Sequence, residues 1–303
     1  MQKRLGFLGA LRARLDDLGR CARPTLAALL AALAVPAAAL PSIAVKPALA
    51  AEQPALWVLS DADTTIYLFG TFHALDDRTD WFARNVRAAF DSSDELVLET
   101  LVPSDPAELF ASLSRHSLTA PLVVGAPLVV GAPVIASGRS GSFARTAGQT
   151  MAAGKSVGLS VERGADAVLR RIADAQGKPV DGLESFDFQL AMVAALPATA
   201  STAPIKAAAP QPDIKRLLTD MRSAWKRGDG SSFAAVLGSL EAQSPATYQR
   251  LFVDRNRDWA KVIAERMERP GTVFVAVGTG HLIGRDSLQH KLARHGFTAT
   301  RIH

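Results

Sequence analysis

Two histidines and a glutamate stand where a folded chain could set them to work. His73 closes Gly70-Thr71-Phe72-His73, and His281 closes Gly278-Thr279-Gly280-His281. Each follows an apolar run, Ile66–Phe69 in the first case and Val273–Val277 in the second. Glu99 ends a third run, Glu95-Leu96-Val97-Leu98-Glu99. Two imidazoles and a carboxylate gathered in one place can hold a divalent cation or serve as a general acid–base set. Taken singly, each has a plainer reading, a loop histidine bonded to backbone or an exposed charge at a strand end. The chemistry therefore depends on whether the three meet. No local motif forces the issue: the chain has no His-Glu-x-x-His and no Gly-x-Ser-x-Gly, and the lone Gly278-x-Gly280 is a weak phosphate-loop signal.

The elements that must position these groups are legible in outline. A run such as Val273–Val277, with no polar alternation, reads as a strand buried on both faces. Leu56–Leu59 and Thr65–Phe69, joined by Asp61-Ala62-Asp63, read as a hairpin. Asp80–Phe90 has helical spacing and precedes the Glu95–Glu99 strand, so strand, helix and strand form a βαβ unit with a parallel pair. Pro106–Ser114, Gly164–Ala175, Phe186–Leu196, Ile214–Arg227 and Ser232–Leu240 read as helices, and Val180–Leu183 as a short strand running into Glu184. Pro245–Arg269 reads as one long helix, Asp286–Gly296 as the last helix and Phe297–Ile302 as the last strand. In an open parallel sheet, ligands bind outside the carboxyl ends of the strands, which is where His73, Glu99 and His281 fall. Residues 198–212 are an Ala/Pro-rich loop. Ala120–Gly125 is repeated without change as Ala126–Gly131, which reads as a local duplication in a loop.

Arg255 lies on the apolar stripe of the long helix, between Phe252 and Trp259. A guanidinium on a buried face needs a carboxylate, and Glu99 and Glu184 are the candidates. The alternative is an arginine that snorkels past the stripe to solvent.

Charge argues against nucleic acid. The chain of 303 residues has 34 Lys/Arg and 29 Asp/Glu; seven basic and two acidic residues fall in 1–50, leaving 27 of each sign in 51–303. The basicity belongs to the leader and leaves no electrostatic footprint on the body. Residues 1–50 read as a secretory signal: a basic segment, the apolar Thr25–Val35, and a small-residue site at Ala48-Leu49-Ala50. The apolar run is too short to span a bilayer, so no stable membrane insertion is expected after cleavage. Cys21, the only cysteine, precedes that run, so the mature chain would carry no thiol. The expectation is an exported protein of the periplasm or cell envelope, with one domain over 51–303.

Together these residues resemble the TraB/GumN family, related to the Tiki proteases. The resemblance is carried by Gly70–His73, the strand ending in Glu99, Gly182-Leu183-Glu184 with Gln189, Arg255-Asn256 with Trp259, Val277–Leu282, and the tail from Gly284 to Phe297. It implies an α/β fold like the erythromycin esterases and haem-binding ChaN proteins: a central, mostly parallel sheet flanked by helices, with a helical middle region. It also implies a metal-dependent hydrolase acting on amide or peptide bonds. His73, Glu99 and His281 would hold a divalent metal, manganese or cobalt by likeness to the Tiki proteases. Arg255 would orient a carboxylate or stabilise the oxyanion, and Asn256 and Glu184 would contact a peptide or a small amide or ester substrate. A metal-free esterase with His73 as base beside Glu99 is the near alternative. A non-catalytic envelope protein that binds haem or another small ligand is the alternative of a different class.

Overall fold

The computed structural model describes residues 53–116, 150, 152–195 and 213–303. The leader with Cys21, the duplicated 120–131 stretch and the 198–212 loop lie outside the described residues. All the described residues fall in one unit, Ala51–His303. Among them, no helix is long and apolar enough to cross a membrane.

Six strands form one sheet: β1 (Leu56–Ser60), β2 (Thr64–Thr71), β3 (Glu95–Leu98), β4 (Val180–Gly182), β5 (Gly271–Gly278) and β6 (Thr300–Arg301), in the order β4-β3-β5-β2-β1-β6. β4, β3, β5 and β2 run parallel, while β1 is antiparallel to both β2 and β6. The α/β architecture with a mostly parallel sheet is thus as the residues predicted. The parallel partner of β3 on this side is not β2, however, but β5, which inserts between them.

The unbroken apolar run of β5 follows from that central place. Val273, Val275 and Val277 pack on one face with Trp259, Ile263, Met267, Leu288 and Leu292. Phe274 and Ala276 pack on the other with Phe69, Phe90, Leu96 and Trp225. Burying each of the larger side chains contributes roughly 1.5–3 kcal/mol. The helices divide accordingly. On the Phe274 face lie α1 (Arg84–Asp91), α3 (Ala165–Gln176) and α5 (Ile214–Lys226). α2 (Pro106–Arg115) and α4 (Phe186–Ala194) share a small cluster of their own through Leu113, Phe186 and Leu190. Next come α6 (Ser231–Gln243) and a short α7 (Pro245–Tyr248). α8 (Arg255–Met267) and α9 (Leu288–Ala293) cover the valine face.

Three elements depart from their expected form. α1 begins at Arg84 rather than at Asp80, because Trp81 stacks on Phe69 at 5.6 Å and meets Trp225 edge-on, which holds residues before Arg84 off the helix. The long helix is interrupted: Gln249–Asp254, between α7 and α8, form a π-helical segment. Such widened turns concentrate at functional sites, and this one ends at Arg255. The C-terminal strand is also shorter than expected, only Thr300–Arg301 pairing with β1.

Candidate active site

The register of the four parallel strands aligns their carboxyl ends. Thr71 of β2 pairs with Gly278 of β5, and Leu98 of β3 pairs with Ala276 on one side and Gly182 of β4 on the other. The residues just beyond those ends are His73, His281, Glu99 and Glu184. Along one sheet edge the order is therefore Glu184, Glu99, His281, His73, on four neighbouring strands. A cavity of about 430 Å³ opens there, with His73, Glu99, Arg255 and His281 among its polar lining and Phe72, Leu159, Leu218 and Phe233 among its apolar lining.

Arg255 is the hub. Its side chain is 2% exposed and all five of its N–H groups have acceptors. Nε donates to Glu184 Oε2 at 3.0 Å; Nη2 donates to Glu184 Oε1 and to Glu99 Oε2, both at 2.7 Å. Nη1 donates to Leu251 O at 3.3 Å and to His281 Nε2 at 3.1 Å. The guanidinium also stacks over Trp259, 4.4 Å from the ring centre. The paired arginine is the outcome, not the snorkelling one, and both candidate carboxylates are its partners.

Each neighbour is set by this cation. Burial alone would raise the Glu99 carboxyl, but Arg255, the two histidines and the Gly278 N–H, which donates to Oε1 at 2.6 Å, hold it down at about 2. Glu99 is thus an anion at any ordinary pH. Glu184 goes the other way: burial pushes it up, more than Arg255 draws it down. Trp259 Nε1 donates to Glu184 Oε2 at 3.1 Å.

The two imidazoles are held alike and tuned apart. Asn256 Nδ2 donates to the carbonyls of His281 and Asp286, so its Oδ1 is the acceptor facing His281 Nδ1 at 2.7 Å. That network assigns the Nδ1–H tautomer, with Nε2 as the acceptor of the Arg255 bond. Burial and the adjacent guanidinium depress His281 to about 3, so it stays neutral. His73 Nδ1 lies 2.7 Å from Asp166 Oδ2. Burial would lower its pKa, but the charge and hydrogen bond of Asp166, with Glu99 behind, raise it above 6.5. Its Nε2 has no hydrogen-bond partner among the described residues. That nitrogen faces Gly278, where an added Cβ would sit 2.9 Å from His73 Nε2 and 3.0 Å from Glu99 Oε1. Gly278 serves to let the imidazole and the carboxylate approach across β5, not to cradle a phosphate.

The three expected metal ligands do meet, but their arrangement does not fit a shared divalent cation. The His281 Nε2 lone pair accepts from Arg255, its Nδ1 carries a proton, and a guanidinium fills the space against Glu99 that an ion would take. His281 Nε2 and Glu99 Oε1 are 3.9 Å apart with that cation beside them. Among the described residues, no group of three or more His, Cys, Asp or Glu side chains is placed to hold a metal. The roles expected for Asn256 and Glu184 change as well. Arg255, expected to orient a carboxylate or stabilise an oxyanion, gives its hydrogen bonds to both carboxylates, Leu251 and His281, which leaves no N–H for an oxyanion. Asn256 and Glu184 do not line the cavity; they stand behind it, one fixing His281 and the other anchoring Arg255. Asp166 was not singled out from the sequence. An acidic residue in a helix's first turn is ordinary, and nothing nearby in the chain points to His73.

The family model described as "TraB/PrgY/gumN family" matches residues 55–121 and 135–301. Two curated relatives, each called "Uncharacterized protein YbaP", come from Escherichia coli (strain K12) and Shigella flexneri. Each is 32% identical over 136 residues, 45% of this chain and 50% of the relative. The chain spans about half the length of these relatives. No solved structure matches it.

Proposed function

The chain belongs to the TraB/PrgY/gumN family, and on that premise we propose that it is an exported hydrolase of ester or amide carbonyls in which His73 activates water. The observation that carries this reading is the divergence of the two strand-end imidazoles. His281 is neutral and spent on Arg255, whereas His73 turns an unengaged Nε2 to the cavity and has a raised proton affinity. A general base needs proton affinity enough to draw a proton from water, and Glu99, at about 2, is too weak a base to compete.

In the proposed reaction, His73 Nε2 takes a proton from water as the water oxygen adds to the substrate carbonyl. The same proton then passes from Nε2 to the departing alkoxide or amine nitrogen as the carbonyl reforms. Glu99 and Asp166, both facing the ring, stabilise the imidazolium between those steps. Arg255 keeps Glu99 ionised and in place and does not touch the substrate. The apolar side of the cavity, Phe72, Leu159, Leu218 and Phe233, suits a substrate with an apolar group beside its carbonyl. Export is proposed from the basic, apolar and small-residue succession of residues 1–50.

The test is hydrolysis of p-nitrophenyl esters and fluorogenic peptide amides by the full chain, before and after excess EDTA, beside His73→Ala. Activity should survive chelation and fall by roughly 10²- to 10⁴-fold in the variant. Undiminished turnover by His73→Ala sinks the proposal. Loss on chelation with recovery in manganese or cobalt would establish a metal-assisted route instead. No turnover, with a shifted haem absorption band on titration, would establish the binding protein.

A further inference from the structure

Asp166 takes no part in the reaction as proposed beyond its charge, yet its placement is specific. The start of α3 is joined directly to the backbone that carries His73. Ala165 N–H donates to Phe72 O at 3.0 Å. Gly164 packs so closely that a Cβ there would lie 2.1 Å from His73 O, which no side chain permits. Upstream, Leu75 and Ser160 exchange both backbone hydrogen bonds, at 3.0 and 2.9 Å. Residues 160–166 thus run along residues 72–75 and are tied to them at three points. At the end of that run Asp166, in the first turn of α3, sets its carboxylate 2.7 Å from His73 Nδ1, with the two side chains 20% and 10% exposed. The free N–H groups and dipole of a helix's first turn favour the carboxylate there.

We infer that Asp166 is a positioning residue, holding His73 with the proton on Nδ1 and the lone pair of Nε2 directed to the cavity, and that Gly164-Ala165-Asp166 is the device that fixes the carboxylate at that ring. The contrast with His281 gives the reason for a carboxylate. Asn256 offers His281 a neutral acceptor, which fixes a tautomer but does nothing for an imidazolium. Asp166 offers a charge, which fixes the same tautomer and also supports the protonated ring. Two histidines on adjacent parallel strands are thereby given one orientation rule and opposite proton affinities.

This inference rests on the reading of His73 as the base, and its test is chosen to separate the two. Full-length protein labelled with ¹⁵N-histidine is examined by two-bond ¹H–¹⁵N spectra, with the His73 signals assigned by their disappearance in His73→Gln. The wild-type ring should show the Nδ1–H tautomer. In Asp166→Asn the amide can donate to Nδ1, and the ring should shift to, or mix with, the Nε2–H form. In Asp166→Glu the Nδ1–H form should persist. On p-nitrophenyl butyrate, kcat should fall by roughly 100-fold or more in Asp166→Asn, with KM little changed and partial recovery in Asp166→Glu. An unchanged tautomer in Asp166→Asn overturns the inference, as does a wild-type ring protonated on Nε2. If neither wild type nor variants hydrolyse any substrate, the hydrolase reading falls, and the spectra alone still decide the positioning. Should Asp166→Asn fail to fold, Asp166→Ser, with a short hydroxyl and no charge, carries the same readout.

Discussion

Replacing Arg255 with methionine tests whether the guanidinium is what makes the strand-end cluster possible. Methionine roughly keeps the arginine stem and leaves Glu99 and Glu184 in the same buried space without a cation. The depression of Glu99 from 4.5 to about 2 corresponds to roughly 3 kcal/mol between its protonation states. A carboxyl with a lowered folded pKa contributes that stability above pH 4.5 and loses it as pH falls towards 2. Without Arg255, burial is opposed only by the histidines and the Gly278 N–H at Glu99 and by the Trp259 N–H at Glu184, and both carboxyls should move upward and take protons closer to neutrality. Breaking a buried ion pair by deleting one partner costs roughly 3–5 kcal/mol. For a domain of this size, that lowers Tm by roughly 6–20 °C at about pH 7. The deficit should shrink as pH falls from about 7 to about 4, where the stranded carboxyls are neutral. Urea unfolding followed by tryptophan fluorescence suits the site, since Trp259 lies directly under the guanidinium. A loss below about 1 kcal/mol at pH 7, or one that is the same at both pH values, would refute the reasoning.

Two further substitutions probe neighbouring atoms. Gly278→Ala adds a methyl 2.9 Å from His73 Nε2 and 3.0 Å from Glu99 Oε1, at a φ of −53° that alanine tolerates. Ester hydrolysis should fall at least about tenfold through displacement of His73, while the melting temperature moves by only a few degrees, roughly; full activity would show that the close approach is not needed. His281, depressed from 6.5 to about 3, contributes stability above 6.5 that is lost as pH falls towards 3, at most roughly 4–5 kcal/mol. His281→Gln should therefore flatten the fall of calorimetric Tm over that range, and an unaltered slope would show that His281 is not the group responsible.

The sheet and most of its helices could be read from apolar runs and capping residues because those signals are local. Val273–Val277 declares its burial in its composition, and the Gly-x-x-His endings follow from it. Strand order was less legible. A βαβ succession implies parallel strands, but nothing in residues 64–99 shows that a strand from the far end of the chain slips between β2 and β3. The start of α1 was misplaced because Trp81 obeys its stacking with Phe69 and Trp225 rather than its helical spacing. In the site, the pairing of Arg255 was one of two readings of its place on a buried stripe, the other being a guanidinium that snorkels to solvent. The exhaustion of its five donors did not, since that depends on Leu251, Glu184, Glu99 and His281 arriving together from four elements. Asp166 left no trace because its partner is 93 residues away and its own surroundings are those of any helix start.

The insertion of β5 also sets a timetable for the chain. β2 and β3 occur early and cannot complete their ladders until β5, far later in the chain, takes its place between them. β1 likewise waits on its outer edge for β6. Contacts of such sequence separation are entropically slow to form. A chain emerging from the ribosome would therefore carry three unfilled strand edges and a scattered cluster until residues 271–301 are free. Assembly of the sheet and of the Arg255 hub then becomes a single late event: His281 arrives on the same strand that closes the sheet, so the sheet and the cluster are completed together.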